Sequence, residues 1–346
     1  MSIYLISNRE VVDNKFRNDV KDTAAGSSFR IASCKLDNTN ESMKYELLPD
    51  VFPAGYERVV KALKDEVSAK ELKGTEYMFY DLYSQMLKSK SKSDVLFFIH
   101  GFANSFEDNL KHMYLLHKHF VGKNSPIKHL VYLSWPTRNH KVFTYWNDQE
   151  DARETGLMLN RLYMKLHGFF KDLFELHKQE RCKNRIHLAA HSMGNQVLKA
   201  MLESLPKEKL FPLFGEVLLL HSDVENTVFE PGEPFTNLEY LSERTHMYIH
   251  HSDDALRISR VTKNFNKRLG HRGPKDRTNL NNETFIVDTS KIRDTEKIKD
   301  IIVDHWRYLY SPLTREDILS VLDGKNENDF DRREKTESNY FILKSN

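Results

Sequence analysis

Cysteine is almost missing from this chain. Only Cys34 and Cys182 occur in 346 residues, far apart in sequence. They form neither a metal-binding spacing nor a redox pair and read as incidental thiols of a reducing compartment. Net charge is nearly absent as well: 52 Lys and Arg oppose 50 Asp and Glu, leaving a formal +2. A dedicated nucleic-acid binder would be clearly basic. Long apolar runs are lacking. The longest are short, such as VLFFI at 95–99, against the roughly 18 residues of a membrane span. The opening MSIYLISNREVV has no basic stretch followed by a long apolar one, so no signal peptide is expected. No internal repeat is visible. The expectation is a cytoplasmic globular protein, with no membrane span and no nucleic-acid partner. Its 39% hydrophobic and 11% aromatic content can fill a sizeable core.

What is present is an alternation. Short runs rich in Val, Ile, Leu, Phe and Tyr recur: VLFFIH (95–100), HLVYLSW (129–135), RIHLAA (185–190), EVLLLH (216–221), HMYIHH (246–251) and ETFIVD (283–288). Strands buried on both faces of a parallel sheet look like this. Amphipathic stretches separate them, at 106–121, 150–179 and 193–202. The first has Ser105 ahead of it and Asp108 three residues on, the spacing of a capping box. Strand, helix, strand, repeated, predicts an α/β fold: a mostly parallel, doubly wound sheet with helices on both faces. Residues 1–92 read as an N-terminal extension of edge strands and helices joined to the main sheet. Residues 93–325 read as the main α/β domain and 326–346 as a polar, loosely held tail. KSKSKSD (88–94) reads as a solvated connector.

The stretch LAAHSMGNQVL (188–198) carries the chemistry. Ser192 follows a strand-like run and precedes a helix-like one, the context of a nucleophile elbow. That turn is tight, so residues two positions either side must be small; Ala190 and Gly194 are. The competing reading is a serine that caps a helix. Acyl transfer also needs two N–H donors aimed at a developing oxyanion. Met193, next to the serine, supplies one. The loop His100-Gly101-Phe102, after an earlier strand, supplies the other through Phe102, with Gly101 allowing close approach. The acid and base should then follow in the order acid, His, each after a strand. Asp253 or Asp254 could be the acid, and Asp223 follows the preceding strand. His271 and His305 are the candidate bases.

In order, the motifs FIHGFANSFED, LSWPTRNHKVFTYWNDQEDA, IHLAAHSMGNQVL, LLLHSDVENTVF, YIHHSDDALRIS and DHWRYLYSPLTREDIL resemble a bacterial α/β-hydrolase family of formerly unknown function, over roughly residues 93–322. The Ser-Trp-Pro block at 134–136, followed by Tyr145 and Asp148, is the most specific part. The resemblance implies an α/β-hydrolase fold and a Ser-Asp-His serine hydrolase. Ser192 matches the nucleophile, His305 the base and Asp253 the acid. Asp254 stands where the family often has a basic residue, and Asp223 matches a recurrent family aspartate and stays in reserve. Around the base the family often has Gly before and Ser after; here Asp304 and Trp306 flank His305.

The expected function is a carboxylesterase- or lipase-like serine hydrolase acting on a small-molecule acyl substrate. Acyltransfer or amide hydrolysis by the same triad is an alternative, and so is a catalytically silent interaction protein. His100, Gly101, Trp135 and Tyr145 are expected to line the substrate site. Sixteen histidines invite a metal, yet none forms an H-x-x-x-H pair with an intervening helical acid, and neither metal nor cofactor is expected.

Overall fold

A computed structural model describes residues 1–17, 29–53, 55–102, 104–137, 145–176, 182–262, 267–295 and 301–345. The apolar runs all become strands of one eleven-stranded sheet. In chain order these are β1 (Ile3–Ser7), β2 (Arg30–Asp37), β3 (Ser42–Leu47), β4 (Asp94–Ile99), β5 (Ile127–Ser134), β6 (Ile186–His191), β7 (Phe214–Leu220), β8 (Ser242–Ile249), β9 (Thr284–Asp288), β10 (Arg333–Glu337) and β11 (Tyr340–Leu343). Their spatial order is β10-β11-β9-β8-β7-β6-β4-β5-β1-β2-β3. The pairings from β11 to β1 are parallel, and β2, β3 and β10 add antiparallel edges.

Alternation along each strand sorts the core into two layers. Phe97, Ile99, Leu188, Ala190, Val217 and Leu219 face one side, under α1 (Glu57–Leu63), α2 (Thr75–Lys88), α4 (Tyr145–Lys171) and α5 (Gly194–Ser204). Leu96, Phe98, Ala189, Leu218 and Leu220 face the other, under α3 (Phe106–Phe120) and a C-terminal helix, Pro312–Leu322. A strand flanked by both layers has no solvent face, which is why these runs read as continuously apolar. The capping box forms as its spacing predicts, with Ser105 accepting from Asp108 N–H at 3.0 Å and Asp108 accepting from Ser105 N–H at 3.1 Å.

The segment expected as a loose polar tail differs. Within 326–346, β10 and β11 complete one end of the sheet, and Tyr340, Phe341 and Leu343 are buried. The physical reason is local. β11 is four residues long, and β10, at the outermost edge, reads REKTE with an almost wholly exposed pattern. An edge strand needs little apolar content, and a four-residue run is too short to show a period, so the pattern hides both.

After β4 the chain lays β5 on one side of it, then returns to place β6 on the other. A crevice opens outside the carboxyl ends of the strands where the winding reverses. The HGF loop leaves β4 there, and Ser192 leaves β6.

Candidate active site

Ser192 has φ +52°, a backbone region costly for a residue with a Cβ. The turn is held from all sides: Ser192 N–H donates to Leu220 O at 2.9 Å, and Ser192 O accepts from Asp223 N–H and from the Asn195 side chain. Gly194 has to be glycine. A Cβ there would lie 2.6 Å from His100 O and 2.7 Å from Ile99 O. The glycine at the next strand end is as constrained: a Cβ on Gly101 would lie 2.8 Å from the Ser192 Cβ. The elbow and the HGF loop therefore touch, and Phe102 lines the same cavity as Ser192. Met193, wholly buried, is the N-cap of α5, where the first N–H groups of a helix have no acceptor within it.

His305 lies after β9 in a short turn, and its Nδ1–H donates to Asp253 Oδ2 at 2.7 Å. Asp253 is wholly buried. It caps α6 (Asp254–Thr262), accepting Leu256 N–H on Oδ1 at 3.1 Å. One oxygen thus holds the helix and the other faces the imidazole, while the helix dipole favours the negative charge. Burial pushes the Asp253 carboxyl up, but His305 and His221 outweigh it and hold the group far below the usual carboxylate range. Burial pulls His305 down, and Asp253 more than offsets this, so the imidazole is more basic than usual. Ser192 and His305 line one cavity of about 670 Å³.

The other candidates are engaged differently. Asp254 is exposed at the first turn of α6 and pairs with Arg257. Asp223 borders the cavity, but its carboxylate accepts Ser259 Oγ at 2.6 Å and lies 3.3 Å from Arg268 Nε. Burial pushes it up to about 6 against the pull of Arg268. His271 sits in the turn Leu269–Arg272, its carbonyl accepting from His251 Nδ1. His100 and Trp135, expected at the substrate, are fully buried behind the loop instead. Trp135 N–H donates to His100 Nε2, His100 Nδ1–H donates to Gly101 O, and the indole N–H donates to His100 O. Trp135 Nε1 and both His100 ring nitrogens meet backbone atoms, so these residues brace the HGF loop. Gly101 likewise serves close packing. The side chain of Tyr145 and the 138–144 part of the Ser-Trp-Pro motif lie outside the described residues.

Three residues escaped the sequence. Arg9, from the N-terminal extension, is buried and donates to Asn104 O at 3.2 Å, to Trp135 O at 2.9 Å and to Ser134 Oγ at 3.2 Å. It ties the HGF loop to the Ser-Trp-Pro block. Since a misplacement of about 1 Å can cost ~100-fold in rate, Arg9→Met is expected to lower kcat roughly 10- to 100-fold with KM little changed. Steady-state kinetics on the folded variant checks this. His191 donates its Nε2–H to His305 O at 2.9 Å and packs its ring 4.7 Å from that of His305. His221, with φ +44°, places Nδ1 3.3 Å from Asp253 Oδ2. Only a lone arginine after a strand and an extra histidine before Ser-Asp would have pointed to these.

Ligand atoms of His221, Asp253 and His305 lie within 4.8 Å of one another, a set that could hold a metal. The 2.7 Å separation of His305 and Asp253 fits a charge-assisted hydrogen bond. Two ligands of a tetrahedral zinc, each at about 2.0–2.1 Å, would lie about 3.3 Å apart.

Residues 79–321 match the family model described as alpha/beta hydrolase of unknown function (DUF900). The chain belongs to this α/β-hydrolase family, and its fold is an α/β-hydrolase fold. No curated protein matches the sequence. Among solved structures, a protein assigned as a cell-surface hydrolase of Lactobacillus plantarum WCFS1 is similar at 12% identity, with 68% of this chain and 92% of that one covered and a TM-score of 0.31. The acylaminoacyl peptidase of Pyrococcus horikoshii is similar at 12% identity, with 87% of this chain and 49% of that one covered and a TM-score of 0.33.

Proposed function

We propose that this protein is a serine hydrolase of acyl esters that works through an acyl-enzyme. The observation that carries the reading is the convergence on one cavity of a strained serine turn and a short His305–Asp253 hydrogen bond. Ser192 is the nucleophile. Its Oγ attacks the acyl carbonyl as His305 Nε2 takes the proton. The N–H groups of Phe102 and Met193 bind the oxyanion. Removing one such donor usually costs about 2.7–4 kcal/mol. His305 returns the proton to the departing alkoxide, then activates water, which releases the acid and frees Ser192. Asp253 stays ionised throughout, holding the imidazole tautomer and stabilising the imidazolium.

The test is hydrolysis of p-nitrophenyl esters by the purified protein, with kcat/KM followed against pH. His305 acts as a base only when neutral, and its basicity is raised. The rate is therefore expected to climb with pH through a midpoint above the ordinary histidine value of about 6.5. A flat profile through that region, or no turnover of any ester by folded protein, contradicts the reading.

A further inference from the structure

The cavity before Ser192 has a patterned lining. Near the oxyanion loop it is polar, with Asn104, Asp108 and Lys111. The rest is dominated by Leu115, Ile258, Ile302, Trp306 and Leu309. These five come from three separate segments: the second half of α3, α6, and the stretch around His305. The apolar strip is therefore no by-product of a single amphipathic helix.

Exposure adds a second observation. Six large apolar side chains are exposed among the described residues, and two of them, Ile258 (51%) and Ile302 (40%), line this cavity. Single exposed isoleucines need no explanation. Two on one cavity, beside a candidate nucleophile, leave apolar surface wet until something covers it. The cavity is also large, at about 670 Å³, well within the ~300–1,000 Å³ range of whole small-molecule sites. An acetyl group would leave most of it to water. Because these residues line the same cavity as Ser192 and His305, its occupant is part of the molecule whose carbonyl reaches Ser192.

We infer that the substrate is an ester bearing a medium-length unbranched apolar chain, seated along Leu115, Ile258, Ile302, Trp306 and Leu309. This rests on the hydrolase reading above. Each methylene moved from water into such a strip favours the longer substrate.

Two ester series test it: p-nitrophenyl acetate, butyrate and octanoate vary the acyl chain, and methyl to hexyl acetates, followed by pH-stat titration, vary the alcohol. The kcat/KM ratio of the long to the short member is expected to reach at least about tenfold in one series, which also tells which half of the ester holds the chain. Ile302→Asp, at a half-exposed site that tolerates the change, is expected to reduce that ratio about tenfold, and Ile302→Val to preserve it. Ratios near one in both series, or a ratio untouched by Ile302→Asp, overturn the inference while ester turnover itself leaves the hydrolase reading standing. Calorimetric binding of octan-1-ol to Ser192→Ala separates the two from the other side. Binding that Ile302→Asp removes, with no ester turned over, supports the apolar seat and overturns the ester reading. No binding and no turnover overturns both.

Discussion

Ser192→Ala is expected to abolish ester turnover, with a loss in kcat on the order of 10⁶-fold if nucleophile and base act as a unit. The expectation follows from the turn. Ser192 spends backbone strain at φ +52°, and its neighbours are cut back to Gly194 and Gly101 to let two strand ends meet. A serine that merely caps a helix needs none of this, because a cap takes an extended backbone with φ negative. Alanine fits the same turn, so the variant keeps the fold, and its melting temperature serves as the control. Activity within a few fold of the parent would return Ser192 to a structural role.

Asp253→Asn carries the second largest effect, a fall in kcat of about 10⁴-fold. The carboxylate accepts from His305 Nδ1 at 2.7 Å and is wholly buried. An asparagine can turn its NH₂ toward His305, which fixes the wrong tautomer and removes the charge that stabilises the imidazolium. The cap on α6 survives, since the amide oxygen can still accept Leu256 N–H. Asp254→Asn is the contrast. Its side chain is exposed and pairs with Arg257 across one helical turn, so the change is expected to alter kcat less than about twofold, as for an ordinary surface substitution. Equal losses for the two variants would contradict the assignment of the acid.

The sheet was legible because its strands are buried on both faces. Six apolar runs between 95 and 288 predicted β4 to β9 within a few residues at their ends. The serine turn was legible for a different reason: tight geometry demands small residues at fixed spacings, and spacing is visible in a sequence. The acid was not. Ser-Asp-Asp offers two carboxylates side by side, and only the start of α6 separates them, making Asp253 the buried cap and Asp254 an exposed first-turn residue. The roles of His100 and Trp135 were hidden too, since an aromatic beside a site motif can face the cavity or brace the loop. Here their ring nitrogens go to backbone atoms. Arg9 contacts residues some 95 and 126 positions away, and no local pattern reports contacts at that range.

The central proposal is that Ser192 is a nucleophile activated by His305. The most direct measurement is the mass of the intact protein after exposure to a fluorophosphonate, followed by peptide mapping. A single adduct on Ser192 is predicted, lost in Ser192→Ala and formed far more slowly in His305→Ala. Folded protein that takes no adduct, or takes it on another residue, would contradict the account.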